Sequence, residues 1–326
     1  MTAQRLHEDK RYRVTLFRGS GDGRRLIVSF EHGRSRMRGD FAEPHYPRYA
    51  ERMGIDALAV QPSWRDWYIS DQSAALAEAL LRATRDRDEV ICTGFSMGGY
   101  GALLYSAACH ARRLMVVSPQ YCIDPAVAPF DAKRHEKFAR IGLPMPRPEA
   151  RGNTAATGLL LYDPAISADR AHMALITHAF PRLVPLALPY GGHPATGVIA
   201  ACGAIGRLAG MVADDRIDRQ EIRQIHRDHR ARTDSYRLNL ASAALTRHPQ
   251  RALPELLRLA REAEPELRFE AGLLLLEHDH PEAMALLDRL LDEVPAPPRG
   301  WGRRLSQALR RVETEAEATD MGQPDA

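Results

Sequence analysis

The sequence predicts an α/β protein built on a mostly parallel sheet with helices on both faces, followed by an all-helical extension. Three observations support this prediction. Apolar strand-like runs alternate with helical patterns between about residues 13 and 213, which is the order expected of a parallel α/β sheet. One of these runs leads through a glycine-rich turn, residues 94–99, into a helix of small residues. After Ala213 the strand-like runs stop and only helical patterns remain.

The elements of the first region follow from hydrophobic periodicity. Apolar runs predict seven strands, at 13–17, 26–30, 57–61, 90–93, 114–118, 158–162 and 184–188. Alanine and leucine at helical spacing predict helices at 71–84 and 98–110, and a further helix is expected at 170–177. The segment 121–153 is rich in proline and charge, and it is the one insertion that we expect to act as a small lid.

The predicted domains are an α/β catalytic domain at 1–213, a helical extension at 214–312 and a polar, disordered tail at 313–326. Within the extension, segments 237–249 and 268–281 are similar, start 31 residues apart and each precede an alanine- and leucine-rich helix. They resemble paired helical hairpins of tetratricopeptide-like length, although the aromatic signature of those repeats is missing. The extension either covers the core of the first domain or forms a groove for a protein partner.

Composition excludes several classes of function. Apolar residues make up 44% of the chain and charged residues 27%, and no apolar run is long enough to span a membrane. The net charge is +3 with both signs interleaved, so no nucleic-acid partner is expected. The first ten residues lack the apolar core of a secretory signal, and the four cysteines have no CxxC spacing. We therefore expect a cytoplasmic protein without disulfides or zinc.

Ser96 is the candidate nucleophile. It lies in Gly94-Phe95-Ser96-Met97-Gly98, a GxSxG pattern that joins a strand-like run to a helix. A sharp strand-to-helix turn needs glycines where side chains would collide, and it leaves the amide after the serine free to bind an oxyanion. That amide belongs to Met97.

His193 is the candidate general base, because it follows an apolar strand and a Gly-Gly pair, at the position from which an imidazole reaches the serine. Two acids are candidates for orienting it. Asp163 lies at the end of a strand, and Asp169 lies where the next helix begins. Spacing favours Asp163, since 30 residues separate it from His193 and leave room for a helix, a strand and the turn. Asp169 remains the alternative, although an acid there is also typical of a helix cap.

The second oxyanion donor is expected in the loop after an early strand. The run Phe30-Glu31-His32-Gly33-Arg34 supplies such a loop, since a His-Gly pair lets the backbone turn back towards Ser96. Arg34 is the predicted donor and Gly33 the alternative.

The elbow, the Ser, Asp, His order and the His-Gly loop resemble the α/β-hydrolase superfamily over about residues 13–213. The resemblance implies a serine esterase with Ser96 as nucleophile, His193 as base and Asp163 as acid, and with no cofactor. More remotely, Ser96-Met-Gly-Gly-Tyr-Gly, the run 117–120 and the Trp67-Tyr68 pair are similar to bacterial hydrolase-like proteins that handle surface glycoconjugates, including an accessory secretion component. That similarity implies acyl transfer to a glycan hydroxyl.

Three functions follow from these residues. The first is hydrolysis of an ester or thioester of a small-molecule acyl substrate through an acyl-enzyme on Ser96. The second is transfer of the acyl group to a glycan or other hydroxyl acceptor. The third is a non-catalytic hydrolase-like module that acts through its helical tail on a protein partner. The intact set of serine, acid and histidine favours an enzyme.

Overall fold

The computed structural model describes residues 3–34, 37 and 39–320, and for residues 313 and 315–320 the backbone alone. Its strands are β1 (Ala3–Glu8), β2 (Tyr12–Phe17), β3 (Arg25–Phe30), β4 (Asp56–Pro62), β5 (Glu89–Phe95), β6 (Arg113–Val117), β7 (Thr157–Tyr162) and β8 (Leu183–Ala187). They form one sheet in the order β1-β2-β4-β3-β5-β6-β7-β8. Strands β3 to β8 are parallel, and β2 is antiparallel to β1 and β4. The predicted α/β sheet is confirmed, and each predicted strand overlaps one of β2 to β8.

Strand β1 was not predicted. Its residues are polar and mostly exposed, and it pairs only with β2 at the edge of the sheet. Such a strand lacks the apolar alternation by which a sequence reveals a buried strand, and its charged side chains discourage pairing with another chain.

Helices cover both faces of the sheet. Those that precede residue 231 are α1 (Arg48–Arg52), α2 (Ser73–Thr84), α3 (Met97–Leu104), α4 (Ala132–Ile141), α5 (Ser167–Ala179), α6 (Gly197–Ala201), α7 (Ile205–Ala213) and α8 (Arg219–Arg230). Neighbouring residues of β3 enter different cores, because side chains alternate along a strand. Val28 lies in one apolar cluster with Leu80 of α2, and Ile27 lies in another with Leu208 of α7. Both faces are thus buried, as in other parallel sheets.

The first compact unit extends beyond the predicted boundary at 213. The chain divides into two units between His229 and Arg230. Ile222 and Ile225 of α8 are buried in the same cluster as Leu161 of β7. The predicted boundary is therefore one helix too early, because the arginine-rich sequence of α8 conceals the narrow apolar stripe that packs on the sheet.

The second unit contains α9 (Asp234–Ala244), α10 (Pro249–Glu262), α11 (Pro265–Leu276), α12 (Ala283–Glu293) and α13 (Gly300–Asp320). The two predicted hairpins correspond to α9 with α10 and α11 with α12. Phe269 stacks on Trp301 with ring centroids 4.4 Å apart, which joins α13 to the core of this unit. Because α13 continues to Asp320, the predicted disorder is wrong for 313–320, and 321–326 lie outside the described residues. No helix within the described ranges combines the length and apolarity needed to cross a bilayer.

Candidate active site

The turn between β5 and α3 holds Ser96 in a strained backbone conformation, with φ of 50° and ψ of −119°. Two glycines make the turn possible. A Cβ on Gly94 would lie 2.1 Å from the carbonyl oxygen of Gly98, and a Cβ on Gly98 would lie 2.2 Å from the carbonyl oxygen of Phe30. The turn has the strand-to-helix geometry of a nucleophile elbow and places the Ser96 hydroxyl at the carboxyl end of the sheet.

Gly98→Ala is expected to destabilise the first unit by at least about 2 kcal/mol, because the new methyl group overlaps the end of β3. Gly210→Ala in α7 is the matched control, since its Cβ would meet only the sulfur of Met53, at 3.8 Å. Alanine there is expected to stabilise the helix by up to about 1 kcal/mol. Chemical denaturation of both variants measures the difference, and equal stabilities would contradict the close packing of the elbow on β3.

His193 reaches Ser96 from the loop after β8. Its Nε2 lies 2.8 Å from the Ser96 Oγ. The preceding glycines allow this loop to turn, since Gly192 has φ of 88° and a Cβ on Gly191 would lie 1.9 Å from the carbonyl oxygen of Ala195. The structure thus brings together the two side chains that the sequence singled out as nucleophile and base.

The acid that contacts His193 is Asp169. Its Oδ1 lies 2.9 Å from the Nδ1 of His193, and its side chain is almost completely buried. Asp169 lies in the first turn of α5, so the helix that was expected to use it as a cap instead directs it at the imidazole. With a proton on Nδ1 donated to Asp169, the lone pair of Nε2 is the acceptor that faces the Ser96 hydroxyl.

Asp163 does not contact His193, so the predicted preference for it is wrong. Its Oδ1 accepts hydrogen bonds from the amides of Tyr190, at 3.0 Å, and Ala165, at 2.9 Å. Its Oδ2 accepts one from the amide of Gly192, also at 2.9 Å. The buried carboxylate therefore fixes the backbone of the loop that carries His193. Counting residues between acid and base could not reveal this, because both acids lie close enough along the chain.

Gln120 is a neighbour of Ser96 that the sequence analysis did not assign to the site. Its Nε2 lies 3.3 Å from the Ser96 Oγ, and its Oε1 accepts a hydrogen bond of 3.1 Å from the indole of Trp67. Trp67 has a positive φ of 52° and is buried, so a strained turn after β4 directs the ring inwards. This donor orients the serine hydroxyl so that its own proton points to His193. The Val-Ser-Pro-Gln run after β6 was the sequence feature from which Gln120 could have been assigned to the site.

The predicted oxyanion donors lie in two different environments. The amide of Met97 is the first of α3 and has no carbonyl four residues earlier in the helix. Arg34 follows β3, and the guanidinium of Arg65 donates hydrogen bonds to the carbonyls of Gly33 and Arg34. Arg65 thereby fixes this loop through its carbonyl groups. The donor role of the Arg34 amide stays a prediction.

A cavity of about 490 Å³ opens beside Ser96 at the ends of β3, β4 and β5. This volume suits a small acyl substrate. Its apolar walls include Phe30 and Phe95, and its polar groups include His32, Glu31 and Gln61. The Oε1 of Gln61 is buried and has no hydrogen-bond partner among the described residues. The cavity therefore combines an apolar surface with a few polar side chains.

The lid-like insertion reaches the site through Arg134 of α4. One guanidinium nitrogen of Arg134 lies 3.1 Å from the Nε2 of His193, and another lies 2.8 Å from the Oδ1 of Asp131. Asp131 in turn lies 2.9 Å from the Nε2 of His172 on α5. Burial acts to raise the pKa of Asp131, but the hydrogen bonds of His172 and Arg134 outweigh burial and hold that pKa below its usual range. The sequence predicted a small lid in this segment but did not identify which of its residues would reach the site.

The strand order, the antiparallel β2, the elbow and the histidine loop after β8 together define an α/β-hydrolase-type fold. Three side chains meet at its carboxyl edge, those of Ser96, His193 and Asp169.

No protein-family model and no curated protein matches the sequence. Three solved structures are similar to part of the chain at low sequence identity. The chain is 13% identical to Est1E from Butyrivibrio proteoclasticus over 65% of this chain and 98% of that one, with a TM-score of 0.45. An esterase of Pyrobaculum calidifontis is 12% identical over 67% of this chain and 87% of that one, with a TM-score of 0.43. The capsule O-acetyltransferase of Neisseria meningitidis serogroup A is 11% identical over 61% of this chain and 93% of that one, with a TM-score of 0.43.

Proposed function

We propose that this protein is a serine hydrolase that cleaves an ester or thioester through an acyl-enzyme on Ser96. The observation that carries the proposal is the chain of two hydrogen bonds from Ser96 to His193, at 2.8 Å, and from His193 to Asp169, at 2.9 Å. A serine hydroxyl is a weak nucleophile until a neighbouring base accepts its proton. The elbow, Gln120 and Asp169 supply the positioning that such a base needs.

In the first half of the reaction the Ser96 Oγ forms a bond to the acyl carbon while its proton passes to the Nε2 of His193. The oxyanion that forms is stabilised by the amides of Met97 and Arg34. The bond from the acyl carbon to the leaving oxygen or sulfur then breaks, and His193 returns its proton to the leaving group. Asp169 stabilises the imidazolium by accepting from Nδ1 throughout.

In the second half, water gives a proton to His193 and attacks the acyl carbon. The bond between the acyl carbon and the Ser96 Oγ breaks, the proton returns to the serine, and a carboxylic acid is released. The sequence and structure require no metal or cofactor for these steps, since each proton is held by His193.

Fluorophosphonate labelling tests this proposal without knowledge of the substrate. We expect one adduct on the wild-type protein, detected by intact mass, and none on Ser96→Ala, because only an activated serine displaces fluoride from phosphorus. Ser20→Ala is the matched control, since Ser20 is exposed in the loop between β2 and β3 and does not line the cavity beside Ser96. Peptide mapping should place the adduct on Ser96. A folded wild type that stays unlabelled would contradict the proposal and favour the non-catalytic module acting through its helical tail.

Acyl transfer to a hydroxyl acceptor is the second candidate. It is supported by the side chains of Glu31 and His32 in the lining of the cavity beside Ser96, because a carboxylate and an imidazole can bind the hydroxyl groups of an alcohol or a sugar. Mass spectrometry of reactions with an acyl ester and a mixture of sugars distinguishes the candidates. An acylated sugar indicates a transferase, and free acid alone indicates a hydrolase.

We also propose that the protein acts in the cytoplasm and that α9 to α13 provide a surface for a protein partner. The cytoplasmic part is supported by four free thiols, three of them buried, which persist where disulfides are reduced. Cell fractionation and affinity capture with the whole chain test these two parts separately.

A further inference from the structure

A second cavity, of about 280 Å³, lies between α4 and the segment that follows β4. Four basic side chains line it, namely Arg11, Arg65, Lys137 and Arg140, together with the half-exposed ring of Trp64. This concentration of positive charge in a concave site attracts anions, because low-dielectric walls focus the electric field.

Acids neutralise part of the positive charge around this cavity. Asp71 lies 3.9 Å from Arg11, Glu136 pairs with Arg140, and Asp131 pairs with Arg134. In contrast, Arg65 and Lys137 have no salt bridge within the described part of the chain. Burial, together with the charges of Arg134 and Arg65, lowers the pKa of Lys137, although the charges of Asp131 and Glu136 act in the opposite direction. Burial with the charge of Arg134 lowers the pKa of Arg65. Half-buried like charges near one another cost free energy unless an anion joins them.

Asp66 is the acidic residue that lines the cavity, and it offsets little of this charge. Its Oδ1 accepts from the amide of Tyr68 at 2.9 Å, and its Oδ2 accepts from the hydroxyl of Tyr12 at 3.3 Å. Burial raises the pKa of Asp66 to about 7. A large share of the carboxyl is therefore neutral at neutral pH.

The basic cluster is continuous with the candidate active site through Arg134. Arg134 and Lys137 are three residues apart on α4 and so lie on the same face of the helix. Arg134 also donates to the Nε2 of His193, the nitrogen that has to accept the proton of Ser96. An anion bound to Arg134 would accept the N–H that Arg134 now donates to His193. The Nε2 of His193 would then accept a hydrogen bond from Ser96 alone.

We propose that Arg65, Arg134 and Lys137 bind an anionic group, a phosphate or a carboxylate, of the acyl substrate. The inference rests on the proposed acyl-transfer function and adds the charge of the substrate to it. The anion binds beside α4 while the acyl carbonyl reaches Ser96, so the anionic group and the scissile bond belong to the same molecule. Arginine and lysine together suit both a phosphate and a carboxylate. Arginine binds either group through a planar pair of N–H donors, and lysine binds it as a compact point charge.

Calorimetry on Ser96→Ala tests the site without turnover, with inorganic pyrophosphate and succinate as probes at constant ionic strength. We expect at least one of them to bind and Lys137→Gln in the same background to weaken it about tenfold. Lys133→Gln is the matched control, because Lys133 is exposed on the same helix and does not line the cavity. Pyrophosphate binding alone identifies a phosphate, and succinate binding alone a carboxylate.

Binding of neither probe, or equal weakening by both lysine variants, would overturn the proposal. The active enzyme gives a second readout. Acyl-phosphopantetheine is compared with acyl-pantetheine, and an ester with a terminal carboxylate is compared with its methyl-terminated analogue. The kcat/KM ratio of the charged to the uncharged substrate should fall about tenfold in Lys137→Gln and stay unchanged in Lys133→Gln. Because calorimetry needs no nucleophile, absent labelling of Ser96 with intact anion binding refutes the proposed function alone, and the reverse result refutes the anion site alone.

Discussion

Asp169→Asn is expected to lower kcat for ester hydrolysis by about 10³–10⁴-fold with little change in stability, because the neutral amide no longer stabilises the imidazolium of His193. Asp169 receives one hydrogen bond, from His193, and its Oδ2 is buried without a partner among the described residues. Little of the fold depends on its charge. Steady-state kinetics and thermal unfolding of the same preparation measure both effects.

Asp163→Asn is the matched comparison, since it is the other acid before His193. Its carboxylate accepts three backbone amides, and an asparagine would turn an NH₂ donor towards at least one of them. We expect a loss of about 1–3 kcal/mol in unfolding free energy for this reason, and a smaller loss of kcat than in Asp169→Asn. If Asp163→Asn instead abolished activity at unchanged stability while Asp169→Asn remained active, the assignment of the acid to Asp169 would be refuted.

Asp66→Asn is expected to stabilise the first unit at pH 8 by up to about 4 kcal/mol and to have little effect at pH 4. The pKa of Asp66 is raised to about 7 in the folded protein from 3.8. Between these values the folded state keeps a proton that the unfolded state has lost, so stability falls as pH rises and levels off above pH 7. An asparagine has no charge to bury, and this part of the pH dependence should disappear.

The measurement needs a probe of the first unit alone, because the two units need not unfold together. Trp301→Phe leaves Trp64 and Trp67 as the tryptophans, both in the first unit, so tryptophan fluorescence in denaturant reports on it. Asp71→Asn is the control. Asp71 is exposed and pairs with Lys10, which lowers its pKa, so its loss should leave the slope between pH 5 and 8 unchanged. An unchanged slope in Asp66→Asn would show that Asp66 is ionised throughout this range.

The sequence predicted the elements that have a strong local signal. Strands β2 to β8 are apolar runs, because strands of a parallel sheet are buried on both faces. The elbow around Ser96 and the Gly-Gly turn before His193 were visible because only glycine fits where a Cβ would meet a carbonyl at about 2 Å. In contrast, β1 escaped recognition, since an exposed edge strand looks polar in sequence. The helical segment that forms α8 was assigned to the extension, since a helix with a narrow apolar stripe also looks polar.

By itself the sequence determined the α/β fold class, the position of Ser96 and the loop that carries His193, since each depends on residues that are neighbours along the chain. Tertiary structure decided which acid meets the imidazole, because the directions of the Asp163 and Asp169 side chains decide it and spacing along the chain does not reveal them. It also decided that Gln120, Arg134 and Lys137 surround the site, since α4 and the end of β6 approach Ser96 only after the sheet has formed. Local propensity is encoded by neighbours in the chain, whereas a site of converging side chains depends on how distant elements pack.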